Sequence, residues 1–195
     1  KKNGSIIIRD NGRGIPVDFH PKFKNKRALE IVLSTLHAGG KFDNNSYKTS
    51  GGLHGVGISV VNALSSHLQV VVFKSGKKYS QVYSKGKAKT KIKIEKCKKS
   101  EKGTEINFIP DDTIFETTNF SPKKMYEFIK MKAVLVSGTI IEFKIDKELI
   151  KDSTPDFEKF HFKNGIEDFL EINNKNITKL FEKKFSIIKK INENE

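Results

Sequence analysis

The stretch Gly4-Ser5-Ile6-Ile7-Ile8-Arg9-Asp10-Asn11-Gly12-Arg13-Gly14-Ile15-Pro16 changes character at Asp10. Before it stands a short β-branched run, read as a buried strand by length and composition. After it comes a Gly/Pro turn cluster that can continue neither strand nor helix. Working outward, Leu29, Val32, Leu33 and Leu36 recur at helical spacing within Lys26–His37. Residues 38–52 are Gly-rich and nearly free of apolar groups, a length that compact domains keep mainly for lids and binding loops. Helical spacing resumes through Val56, Val60 and Leu64. Residues 67–74, 77–84, 89–96 and 103–109 then read as strands, with Ser75-Gly76 and Lys85-Gly86 as tight turns, so an antiparallel meander is the simplest expectation. Ser121-Pro122 supplies a cap and first turn for a helix with Met125, Phe128 and Ile129 on one face. A strand over 139–145, a polar stretch and a short helix over 166–170 follow. This order predicts an α+β two-layer sandwich with helices on one face of a mixed, mostly antiparallel sheet. Residues 1–172 form its domain, and 173–195 a charged tail.

The composition excludes several classes. The chain has 195 residues, 37 bases against 23 acids and a net charge of +14. Residues 1–100 hold 21 of the bases and only 5 of the acids, a bias that suits a polyanionic partner. The run 74–99, with eleven Lys and one Glu, reads equally as a binding strip or a solvated sheet face. The single Cys97 excludes a disulfide framework and a multi-cysteine metal site. No apolar run reaches membrane-spanning length and no leader pattern is present, so the cytoplasm is expected. The chain opens at Lys1 without a methionine and runs straight into a strand, so an excerpt of a longer protein is expected.

Asp10 ends an apolar strand and is followed by Gly-x-Gly. A carboxylate there needs donors, and the exocyclic amine of adenine is one. Gly12 and Gly14 then leave room for a flat base. The competing reading is a carboxylate that closes a turn on backbone N–H groups. Gly51-Gly52-Leu53-His54-Gly55-Val56-Gly57 runs into a helix, where unpaired N–H groups and a partial positive charge attract phosphate. The alternative is a flexible hinge. Lys41, Tyr47 and Lys48 inside residues 38–52 can reach phosphate, although each is also an ordinary surface residue. No P-loop, zinc pattern or nucleophile elbow occurs.

Taken together, residues 10–16, His37-Ala38-Gly39-Gly40-Lys41-Phe42-Asp43 and Ser46-Tyr47-Lys48-Thr49-Ser50-Gly51-Gly52-Leu53-His54-Gly55-Val56-Gly57 closely resemble the GHKL-type ATPase domain of bacterial type IIA topoisomerases, as found in gyrase B and its sister ParE. The resemblance runs from Lys1 to about Leu170, and residues 57–64 and 130–135 look more like ParE. It implies ATP and magnesium as cofactors. It places Asp10 on the adenine amine, with Thr104 sharing a water, Gly14, Ile15 and Pro16 along the base, and Arg13 at the pocket mouth. Gly39, Gly40, Lys41 and Tyr47 would belong to the lid, and Leu53, His54, Gly55, Val56 and Gly57 would meet the phosphates. The general-base Glu and magnesium-binding Asn of the family are expected upstream of Lys1, so the chain alone is expected not to turn over ATP. Implied partners are DNA, a second copy in an ATP-dependent dimer, and the DNA-cleaving A/ParC-type subunit, near the nucleoid and away from membranes. Two alternatives are a non-catalytic nucleotide- or DNA-binding remnant with a basic surface and another GHKL ATPase.

Overall fold

The computed structural model describes residues 1–20, 23–37 and 55–175. These fall into two compact units, Lys1–Asn119 and Phe120–Glu195. In the first, the chain runs β1 (Ile6–Arg9), β2 (Phe19–His20), β3 (Phe23–Arg27), α1 (Ala28–Ser34), α2 (Gly57–Ala63), β4 (Ser65–Lys74), β5 (Lys77–Ser84), β6 (Lys87–Ala88), β7 (Lys93–Lys96) and β8 (Gly103–Pro110). Six strands make one sheet in the order β1-β8-β4-β5-β6, with β7 also paired to β5. All these pairings are antiparallel.

The structure corrects several expectations. The strand ahead of Asp10 is exposed: β1 is an edge strand paired on one side to β8, and Ile8 is 61% exposed. Nor is the sheet a simple meander. Both two-residue turns form as expected, with positive φ at Ser75 and Gly76 and again at Lys85 and Gly86, the geometry that matches strand twist. After β7, however, residues 97–102 pass around the Ser75-Gly76 turn, where Cys97 N donates to Gly76 O at 3.0 Å. That detour delivers β8 between β1 and β4, pairing Thr104 with Val72 and Ile106 with both Ile8 and Val70. The strand expected over 89–96 is also split. Thr90 Oγ1 accepts from Val82 N at 3.1 Å, and a side chain thus replaces a ladder bond between β6 and β7.

Leu29 and Leu33 from α1 pack on Leu68, Val70, Val72 and Tyr83 of the sheet, all essentially inaccessible to solvent. Helix α1 starts at Ala28, two residues later than its spacing predicted, because Arg27 is extended and its N–H donates to Glu30 Oε2 at 3.1 Å. Leu36 falls beyond the helix and stays 59% exposed. The other oxygen of Glu30 accepts from Gln81 Nε2 at 3.2 Å, and Gln81 Oε1 accepts from the Tyr83 hydroxyl at 2.6 Å. This polar chain fixes α1 to the sheet interior. Burial, and then the Glu30 charge, push the Tyr83 phenol far above its ordinary pKa. The β2–β3 hairpin had no sequence signal, since Phe23-Lys24-Asn25-Lys26-Arg27 lacks apolar alternation. Arg27 anchors it by donating to Val17 O at 2.8 Å with its guanidinium over the Phe19 ring.

At the far end of β8, Asp111 has a side chain only 1% exposed, with Lys85 Nζ at 2.9 Å and both Thr113 N and Oγ1 donating to its carboxylate. The Lys85 ammonium, helped by the Thr113 donors and opposed by burial, holds the carboxyl below its ordinary pKa. A depressed carboxyl pKa contributes stability that is present above the unfolded value near ~4 and lost as pH falls through the folded one. Melting temperature followed from about pH 6 down to about pH 2 should therefore fall more steeply in the wild type than in Asp111→Asn, which has no carboxyl to protonate. Parallel acid limbs would remove this pair from the acid response.

The second unit contains α3 (Pro122–Leu135), β9 (Ile140–Lys144), a 3₁₀ turn (Lys147–Leu149), β10 (Phe157–His161) and α4 (Ile166–Asn173). Ser121 caps α3 through Lys124 N, with Pro122 in the first turn as read from sequence. Phe143, Phe160 and Phe162 pack against Ala133 and Val134, with Met125 and Ile129 alongside. Phe128, grouped with those two by spacing, points outward instead at 58% exposure and lies against Lys132. Strand β10 was not foreseen; it pairs antiparallel with β9 across five residues. The Tyr126 hydroxyl donates to Glu158 Oε2 at 2.6 Å, and burial with this carboxylate pushes the phenol up to about 12.

Candidate nucleotide site

Strand β1 ends where Asp10 N donates to Thr104 O at 2.9 Å, so the first residue of the turn is held by the neighbouring strand β8. The Asp10 carboxylate folds back: Oδ1 accepts from Gly12 N at 2.8 Å, the turn-closing role that competed with base recognition in the sequence reading. Its Oδ2 makes no hydrogen bond among the described residues, and the residue is exposed. One carboxylate oxygen thus fixes the loop while the other faces outward, so the two readings are compatible. Thr104 is 7% exposed, and its Oγ1 accepts from Ile15 N at 3.1 Å. Asp10, Ile15 and Thr104, separated widely in sequence, therefore form one hydrogen-bonded corner.

Two glycines make the corner possible, and for Gly14 the reason differs from the one the sequence suggested. A Cβ on Gly14, at φ +74°, would meet Val72 Cγ1 at 3.0 Å and Gly103 O at 3.1 Å. A Cβ on Gly103, at φ +109°, would overlap the Asp10 carbonyl and Asn11 Cα. The missing side chains admit neighbouring protein rather than a ligand. At Gly12 the corresponding space is taken by the Asp10 carboxylate. The sequence marks Gly103 only as the start of the strand over 103–109; its packing role depends on a strand order that the sequence left open.

Ile15 and Pro16 are half-buried and Arg13 is exposed. Ile15 packs against the same core cluster as Ile58 in the first turn of α2. Gly55 (φ +62°), Val56 and Gly57 lead into that helix, and no side chain caps it. Gly39, Gly40, Lys41, Tyr47, Leu53 and His54 lie outside the described residues. Arg9, given no role, stacks over Phe73 at 4.7 Å and reaches Glu105 at 3.8 Å on the outer sheet face. Lys74 Nζ lies 3.9 Å from Asp18 Oδ2. Among the described residues no group of three His, Cys, Asp or Glu side chains could hold a metal ion. No helix among them is long and apolar enough to cross a membrane.

A sheet covered by short helices, with a strand-end Asp tied to a Thr on the neighbouring strand, defines a protein of the GHKL ATPase class. Residues 1–114 match the family of histidine kinase-, DNA gyrase B- and HSP90-like ATPases, and the chain belongs to that family. It is 55% identical over 167 residues to the B subunit of DNA topoisomerase 4 from Rickettsia felis, covering 85% of this chain and 25% of that protein. The corresponding topoisomerase 4 protein of Caulobacter vibrioides is 45% identical over 185 residues, with 94% and 26% covered. The B subunit of DNA gyrase from Campylobacter jejuni is 48% identical over 173 residues, with 88% and 21% covered. The chain thus spans about a quarter of the length of these relatives. Among solved structures, the 43K ATPase domain of Thermus thermophilus gyrase B, in complex with an aminocoumarin, superposes with a TM-score of 0.75 at 32% identity, covering 94% of this chain and 44% of that one. The ATP-binding domain of Francisella tularensis topoisomerase IV, in complex with a small-molecule inhibitor, gives 0.67 at 29%, covering 85% and 74%.

Proposed function

We propose that this chain is the ATP-binding part of a type IIA topoisomerase, from the gyrase B/ParE side of the enzyme and of the topoisomerase IV kind, with residues 1–172 acting as one nucleotide-binding domain. The observation that carries the reading is the corner itself: a carboxylate with one oxygen committed to the loop, the other turned outward, and Thr104 beside it. Asp10 Oδ2 accepts from the exocyclic amine of adenine, Thr104 shares a bridging water, and Gly14, Ile15 and Pro16 border the base, with Arg13 at the mouth. Gly39, Gly40, Lys41 and Tyr47 close over the ribose and phosphates. Leu53, His54, Gly55, Val56 and Gly57 offer main-chain N–H groups to the phosphates, where the positive end of α2 favours negative charge. Bound ATP, with magnesium as its counter-ion, would supply the phosphoanhydride whose hydrolysis resets the cycle. Closure favours pairing with a second copy and so gates DNA passage through an assembly that includes the DNA-cleaving subunit.

The test is Asp10→Asn. The amide keeps an oxygen that can hold Gly12 N, but then presents an NH₂ group to the adenine amine. Two donors facing each other should weaken binding of a non-hydrolysable ATP analogue by about 1–3 kcal/mol, ten- to a hundredfold. Calorimetry of the two proteins at equal melting temperature reads the difference. Unchanged affinity would remove Asp10 from the site.

A further inference from the structure

The lysine run that composition left undecided takes a definite place in the sheet. Strands β6 and β7 both pair to the side of β5 that β4 leaves open, so residues 87–96 form the sheet edge. Lys85 in the preceding turn and Lys87, Lys89, Lys91 and Lys93 along the edge occupy every second position and are all exposed, while Ile92 packs on the core. Lys85 is held by Asp111 and Lys93 by Glu95. Lys87, Lys89 and Lys91 have no acidic partner among the described residues. Further along, Lys77 stands directly opposite Lys96 in the ladder, a like-charge pairing that disfavours the sheet unless an anion bridges it.

We propose that this edge binds the sugar-phosphate backbone of duplex DNA without reading its sequence. Alternate residues of an extended run lie about 7 Å apart, against one phosphate per about 3.4 Å of axis on each DNA strand. The row therefore matches the backbone in sign, and in density within about a factor of two, without a fixed register on individual phosphates. The strip has no Trp or Arg and no deep apolar anchor of the kind that carries protein–protein affinity. Lysine ammonium groups act on phosphate as mobile point charges, enough for position but not for base readout. The inference deepens the topoisomerase reading, on which it rests, by naming a surface that touches DNA.

The experiment uses the whole 195-residue chain, a fluorescent duplex and salt from about 50 to 200 mM, the range over which phosphate contacts separate clearly. The triple variant Lys87→Gln, Lys89→Gln, Lys91→Gln should bind the duplex tenfold or more weakly at the lower salt, with a log–log salt slope shallower by about 2 to 3. The triple variant Lys144→Gln, Lys151→Gln, Lys163→Gln, which removes the same charge from exposed positions of the second unit, should retain the wild-type slope. Equal losses in both variants, or no loss in either, would overturn the proposal. So would aggregation of the edge variant with an unchanged slope, since lysines there would then only be guarding the edge against strand addition. ATP-analogue binding measured in parallel should be unaffected by the edge variant. Failure of the nucleotide reading would instead appear as no analogue binding by the wild type.

Discussion

Replacing Gly103 by alanine should destabilise the chain by on the order of 4 kcal/mol, from positive-φ strain and overpacking together. The methyl group has nowhere to go: it would overlap the Asp10 carbonyl and Asn11 Cα, both main-chain groups. Relief requires β1 to separate from β8 at the point where Asp10 N meets Thr104 O. The variant should therefore lose about 10 °C or more in melting temperature and bind the ATP analogue more weakly than its remaining folded fraction explains. Gly4→Ala is the comparison. It also has positive φ, but nothing lies within 4 Å of the added carbon, so it should show only the smaller backbone penalty. If the two variants melt together, the close approach at Gly103 is not what holds the corner.

The second large effect belongs to Leu33. Its side chain is completely buried against the sheet, and its carbonyl accepts from Asn62 Nδ2 at 2.9 Å, tying α1 to α2. Leu33→Ala should cost about 2–5 kcal/mol, through lost transfer free energy and the cavity left beneath the helix. Leu36→Ala, the same change three residues on at a 59% exposed position, should stay within about 0.5 kcal/mol. Denaturant titration of both proteins checks the contrast. A comparable loss at Leu36 would mean that the helix continues further than Ser34.

The same two leucines show where sequence reading succeeds and where it stops. Apolar spacing identified the face of α1 but not its end, because Leu36 continues the period after the helix has stopped. Local chemistry was legible: the Ser75-Gly76 and Lys85-Gly86 turns and the Ser121 cap fall where residue type demanded them. Strand order was not. The placement of β8 between β1 and β4 depends on contacts between residues nearly a hundred positions apart, and an isoleucine run reads alike at an edge or a centre. The β2–β3 hairpin escaped because Arg27, rather than apolar alternation, holds it. At the site, the sequence reading had Gly14 leave room for a base, whereas its missing side chain clears space for Val72 and the Gly103 carbonyl, which only the strand order reveals.

Asp10 is anchored by a partner that the chain supplies 94 residues later, through Thr104 O. During synthesis the carboxylate leaves the ribosome long before that anchor exists. A nascent chain that has not yet exposed Thr104 thus has the acid but not the corner. Premature termination before Gly103 would leave a product that displays Asp10 without orienting it, and β1 would have a bare edge on both sides.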